Sequence, residues 1–150
     1  ICFYIASNKS IKMTLTNFFS TRKPIHQVYQ LAKQVLIVDT SPTCVKRIAD
    51  EIIELNHLYI GAAATTNQVE KAIASYQPDV LLINCDLSGQ FSGYQIAKAI
   101  KSDYDIPFYM MCDAHDCETQ KWVKEINPDG FIFLTHSSKS LKLQLEEILG

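Results

Sequence analysis

Residues 1–33 contain no aspartate or glutamate. The same segment carries Lys9, Lys12, Arg22, Lys23 and Lys33, so it bears +5 and the remainder −7 to give −2 overall. A basic arm therefore precedes an acidic domain, and nothing in the overall charge points to nucleic-acid binding. Cysteine is scarce and irregular. Cys2, Cys44, Cys85, Cys112 and Cys117 are too few for a disulfide framework, and an odd count fits a reducing compartment. No apolar run reaches bilayer length, so no membrane span is expected. The apolar start Ile1-Cys2-Phe3-Tyr4-Ile5-Ala6 is short and lacks the basic leader of a signal peptide. No Cys-x-x-Cys pair, nucleophile elbow or glycine-rich phosphate loop is present. The expectation is a cytoplasmic chain that is not an enzyme. It does not begin with Met, which fits processing or excision from something longer. No helix-turn-helix output segment is read in it.

What is present is a repeating alternation. The 150 residues, 47% of them apolar, suit one compact domain of 34–150 preceded by an N-terminal extension or linker helix over 1–33. Val35-Leu36-Ile37-Val38 is a buried-strand run ended by Asp39. Ser41-Pro42 reads as an N-cap with proline at the first helical position. Val45, Ile48, Ile52 and Leu55 then recur at helical spacing. His57 to Ala62 is a weaker strand, followed by a stripe of Val69, Ala72, Ile73 and Tyr76. Pro78-Asp79 breaks that helix, and Val80-Leu81-Leu82-Ile83 is a third strand ended by Asn84. A loop from Leu87 to Gly93 leads into a helix carrying Ile96, Ala99 and Ile100. Pro107 to Met111 is the fourth strand. A helix around Val123 and Ile126 stops at Asn127-Pro128, because asparagine tolerates a left-handed cap and proline cannot continue a helix. Phe131 to Leu134 is the fifth strand, and Leu141, Leu145, Ile148 and Leu149 mark the last helix.

Five strand–helix units with continuous apolar strands imply a flavodoxin-like, doubly wound α/β fold. Right-handed crossovers favour a parallel sheet of order 2-1-3-4-5 with helices on both faces. The crevice of such a sheet lies at the carboxyl ends of strands 1 and 3, which places Asp39, Asn84, Cys85 and Asp86 there. Cys112 and Leu134 end strands 4 and 5.

These landmarks, in this order, resemble the response-regulator receiver (CheY-like) domain over residues 35–149. Val35 through Thr43 is similar to the receiver opening, where two acids usually precede Ser-Pro. Pro78 through Asn84 is similar to the strand that ends in the phosphoacceptor aspartate. Gly130 through Thr135 is similar to the segment carrying a switch aromatic and then Lys-Pro. The resemblance implies a chemistry in which a carboxylate attacks a phosphoryl group while acids hold Mg²⁺ and a lysine neutralises the phosphoryl oxygens. This chain departs from that set. The first acid is Asp39, but the second is Thr40. The acceptor position is Asn84, whose amide cannot form an acyl phosphate. The hydroxyl position is Cys112 and the lysine position is Leu134. The following proline is Thr135, which removes the usual basis for a cis peptide. Gly93 lies nine residues after Asn84 and seven after Asp86, neither of them the usual spacing. The Pro-Asp start and the four-residue apolar run favour Asn84.

The resemblance, so altered, implies an atypical receiver, or pseudo-receiver, of two-component (phosphorelay) signalling. It would act as a phosphorylation-independent protein-interaction module without a cofactor. Its partners would be signalling proteins, a histidine kinase or a downstream protein. A homodimer through the helix 4–strand 5–helix 5 face is a further expectation, with Phe131 as the switch aromatic and Trp122 and Phe133 as either anchors or local packing. Two alternatives stand beside it. One is a true receiver weakly phosphorylated on Asp86, with Mg²⁺ at Asp39 and Asp86. The other is a metal or redox sensor built from Cys85, Cys112, His115, Cys117 and His136. The basic arm reads as a linker helix, since Ile25, Val28 and Leu31 sit at helical spacing. A lipid-contacting segment with Leu15, Phe18 and Phe19, or a disordered one, is the other reading.

Overall fold

The computed structural model describes residues 31–87, 92–113, 121–134 and 137–150. The expectation for 1–30 and those for His115, Cys117, Thr135 and His136 fall outside the described residues. The chain divides into the units Ile1–Ala32 and Lys33–Gly150. Lys33 itself belongs to the second unit for a visible reason. Its N–H donates to His57 Nδ1 at 3.1 Å, and its ammonium donates to the Ile148 carbonyl at 3.0 Å.

The order of elements is β1 (Gln34–Val38), α1 (Pro42–Glu54), β2 (Leu58–Ala63), α2 (Thr66–Tyr76), β3 (Val80–Asn84) and α3 (Gly93–Asp103). There follow β4 (Phe108–Cys112), α4 (Lys121–Ile126), β5 (Gly130–Phe133) and α5 (Ser138–Leu149). All pairings are parallel, and the sheet order is β2-β1-β3-β4-β5, as the alternation predicts. Each strand alternates sides. Leu36, Val38, Leu81, Ile83, Met110 and Cys112 join one core with residues of α2, α3 and α4. Val35, Ile37, Leu82, Met111 and Ile132 join a second core with residues of α1 and α5. Strands buried on both faces explain why their sequences are unbroken apolar runs rather than alternating ones.

The punctuation works as its chemistry requires. Ser41 Oγ accepts from Cys44 N at 3.3 Å, with Pro42 opening α1. Ser92 and Gln95 form a capping box on α3. Asn127 takes φ +42° at the end of α4, the left-handed state that asparagine tolerates. Gln77 does the same at +49°, immediately before Pro78. The weak second strand has a local cause. Register against β1 slips between Val35 and Leu36, and Gly61 supplies the φ of +143° at the irregularity. Among the described residues no helix is long and apolar enough to cross a membrane.

His57, expected as the first residue of a strand, instead precedes β2 as a buried acceptor, 7% exposed. Burial, reinforced by the Lys33 charge, lowers its pKa below the ordinary 6.5. A lowered histidine binds fewer protons folded than unfolded. Its contribution to stability is therefore complete above 6.5 and lost as pH falls from there through the folded value. The urea midpoint should drop between neutral pH and about pH 5.5. His57→Asn, which keeps an acceptor near Nδ1 but cannot titrate, should lose part of that drop. Equal slopes for the two proteins would show that His57 does not carry it.

Candidate functional site

Strand order reverses between β1 and β3, and the crevice outside their carboxyl ends is where the chain's polar strand-end residues converge. Asp39 follows β1 directly and is 5% exposed. Its N–H extends the sheet by donating to the Ala63 carbonyl at 3.0 Å. Its carboxylate is occupied by donors of the same chain. Ser41 N–H donates to Oδ1 at 2.8 Å, and Asn84 Nδ2 donates to Oδ2 at 2.9 Å. The Cys44 thiol, in the first turn of α1, lies close enough to Asp39 for its titration to respond to that carboxylate. Burial first, then the hydrogen bond to Asp39 and its charge, push the Cys44 thiol up to about 12. Asp113 adds to the rise and Arg47 opposes it. Cys44 is thus protonated at neutral pH.

Asn84 is the last residue of β3 and uses both halves of its amide. While Nδ2 donates to Asp39, Oδ1 accepts the Asp86 N–H at 2.9 Å and turns the chain out of the sheet. A carboxylate could accept from Asp86 N–H but could not donate to Asp39. Asp86 is exposed, two residues out in the loop. Asn84, and not Asp86, therefore faces Asp39 across the switch point. Gly93, at the start of α3, packs onto the Asn84 carbonyl so closely that an added Cβ would stand 1.9 Å from it.

The other expected positions also line this end of the sheet. Thr40 is half-buried beside Asp39. Cys112 is fully buried at the end of β4, with its sulfur 2.7 Å from that of Cys85. Leu134 N–H continues the ladder to the Cys112 carbonyl at 2.8 Å, and its half-buried side chain packs against the α1/α5 core. Phe131 is half-buried, packs on the α2/α3/α4 core and stacks on Phe133 with centroids 6.5 Å apart. Trp122 packs on the same core and lies 6.1 Å from the Tyr94 ring of α3, so its contacts include local ones. Tyr94 and Lys98 of α3 also share Glu125 of α4. Among the described residues no group of three or more His, Cys, Asp or Glu side chains could hold a metal ion.

Cys44 is the site residue that the sequence pattern misses. Its position in a helix's first turn carries no chemical signature, and only the closeness of the start of α1 to the end of β1 couples its thiol to Asp39.

Residues 35–146 match the family described as response regulator receiver domain. The heme response regulator HssR of Staphylococcus saprophyticus is 21% identical over 114 residues, which are 76% of this chain and 50% of that protein. A probable 2-phosphosulfolactate phosphatase of Clostridium kluyveri is 26% identical over an alignment covering 97% of this chain and 62% of that protein. The chain thus spans only half to three fifths of these curated relatives. Among solved structures, the chemotaxis response regulator CheY4 of Vibrio cholerae superposes with a TM-score of 0.67 at 16% identity, over 78% of this chain and 98% of that one. With its residues 35–146 matched and its sheet in the order of that fold, the chain belongs to the receiver domain family of two-component response regulators.

Proposed function

We propose that this receiver domain signals without being phosphorylated, as an interaction module for other signalling proteins in the cytoplasm. The observation that carries the reading is the state of Asp39. Its two oxygens are taken by Ser41 N–H and Asn84 Nδ2, so a buried charge is satisfied within the chain. The acceptor position holds an amide that Asp39 needs as a donor, and the lysine position holds Leu134, packed against an apolar core.

The same residues do not fit Mg²⁺. A hard cation seeks several anionic oxygens, and here one carboxylate is already satisfied, its neighbour is Thr40, and Asn84 Oδ1 is engaged by Asp86 N–H. The partner surface is the α4–β5–α5 face, with Phe131 of β5 half-buried there. The same side is where a homodimer would form.

The test is incubation with Mg²⁺ and acetyl phosphate, followed by intact mass and a count of released phosphate. The expected outcome is an unchanged mass and no release above the protein-free rate. A stoichiometric phosphoryl adduct overturns the proposal, and peptide mapping of such an adduct to Asp86 would establish the weak-receiver alternative. Catalytic phosphate release would overturn the non-enzymatic part.

A further inference from the structure

We propose that Cys85 and Cys112 form a reversible oxidation site, closing to a disulfide across the ends of β3 and β4. Three observations meet here. The sulfurs lie 2.7 Å apart. The β3–β4 register pairs Asn84 with Met111, so the next pair in line is Cys85 with Cys112, and Cys85 N–H continues the ladder to the Met111 carbonyl at 2.9 Å. Both side chains also pack on the same side of the sheet, in the core made with α2, α3 and α4. Neighbouring strands run about 4.8 Å apart, inside the Cα separation of about 4.4–6.8 Å that a disulfide spans. Strand spacing and register therefore suit the bond. The proposal is independent of whether the domain is phosphorylated.

The two thiols divide the chemistry by exposure. Cys112 is fully buried, whereas Cys85 is half-buried where β3 gives way to the loop. A hydroperoxide reaches Cys85 first. The Cys85 sulfur takes the terminal oxygen, the O–O bond breaks, and hydroxide or alkoxide leaves with the thiol proton as water or alcohol. The Cys112 sulfur then attacks the Cys85 sulfenic sulfur. The S–S bond forms, the S–O bond breaks, and hydroxide departs as water with the Cys112 proton. Overall two thiols lose two hydrogens and two electrons, and one peroxide is reduced. A dithiol reductant reverses the reaction by exchange. The resulting link ties the loop after β3 to the end of β4, beside Asn84 and Asp39.

The experiment treats the reduced full chain with hydrogen peroxide, alkylates remaining thiols with N-ethylmaleimide and maps the peptides. The expected result is a mass loss of about 2 Da, two fewer alkylated thiols and one linked peptide pair holding Cys85 and Cys112, all restored by dithiothreitol. Cys85→Ser and Cys112→Ser should each abolish the link, while a Cys2→Ser, Cys117→Ser double variant should keep it. The map of the unsubstituted chain is decisive even where a serine variant fails to fold. Alkylation of both Cys85 and Cys112 after peroxide, or linkage of either to a different cysteine, overturns the proposal.

Discussion

Gly93→Ala is expected to destabilise the domain by about 3 kcal/mol, an effect whose sign opposes ordinary helix propensity. In an exposed helical position, glycine to alanine stabilises by up to about 1 kcal/mol. At Gly93 the new Cβ would stand 1.9 Å from the Asn84 carbonyl oxygen, 2.8 Å from its carbon and 3.2 Å from the Cys85 Cα. These are backbone atoms at the end of a central strand, so no side chain can rotate away. Either α3 lifts, which strains the Ser92–Gln95 capping box, or the end of β3 shifts and takes Asn84 from Asp39. Urea unfolding with an unchanged slope measures the difference directly. A neutral or stabilising result would mean that α3 can withdraw freely from β3.

Asn84→Asp is expected to lose about 2–4 kcal/mol at neutral pH. The substitution removes the donor that Asp39 Oδ2 receives at 2.9 Å and sets a second carboxylate against a residue that is 5% exposed. Two carboxylates at that distance raise one pKa of the pair. A raised carboxyl pKa gives a folded state that binds more protons than the unfolded one. The deficit should therefore be small in acid and grow as pH rises through the carboxylate range. The variant should also differ from the parent toward Mg²⁺. Two facing carboxylates make a hard-cation site that one satisfied carboxylate does not. Millimolar Mg²⁺ should then raise the unfolding midpoint of the variant and leave the parent unmoved. Equal stabilisation of both by Mg²⁺ would contradict the assignment of Asp39 as internally satisfied.

Much of the fold was legible because its signals are local. Apolar runs such as Val80 to Ile83, caps such as Ser41-Pro42 and stops such as Asn127-Pro128 act within a few residues, and each behaves in the structure as its chemistry predicts. The second strand was the weakest signal, and the slip at Gly61 explains why. The site was legible only in part. Which of Asn84 and Asp86 faces Asp39 could not follow from spacing to Gly93, because loop length leaves the register open. The direction of the Asn84 amide decides it, held from one side by Asp39 and from the other by Asp86 N–H.

The sequence by itself determined the order of elements, the doubly wound sheet and the set of residue types at the strand ends, since periodicity, caps and burial on both faces are written along the chain. The tertiary structure alone decided which of those residues meet. The Cys44 thiol responds to Asp39 because α1 starts beside the end of β1, and Cys85 meets Cys112 because two strands 27 residues apart lie in register. The physical reason is that hydrogen bonds and sulfur contacts depend on ångström-scale distances between segments, and hydrophobic pattern specifies which face is buried without specifying those distances.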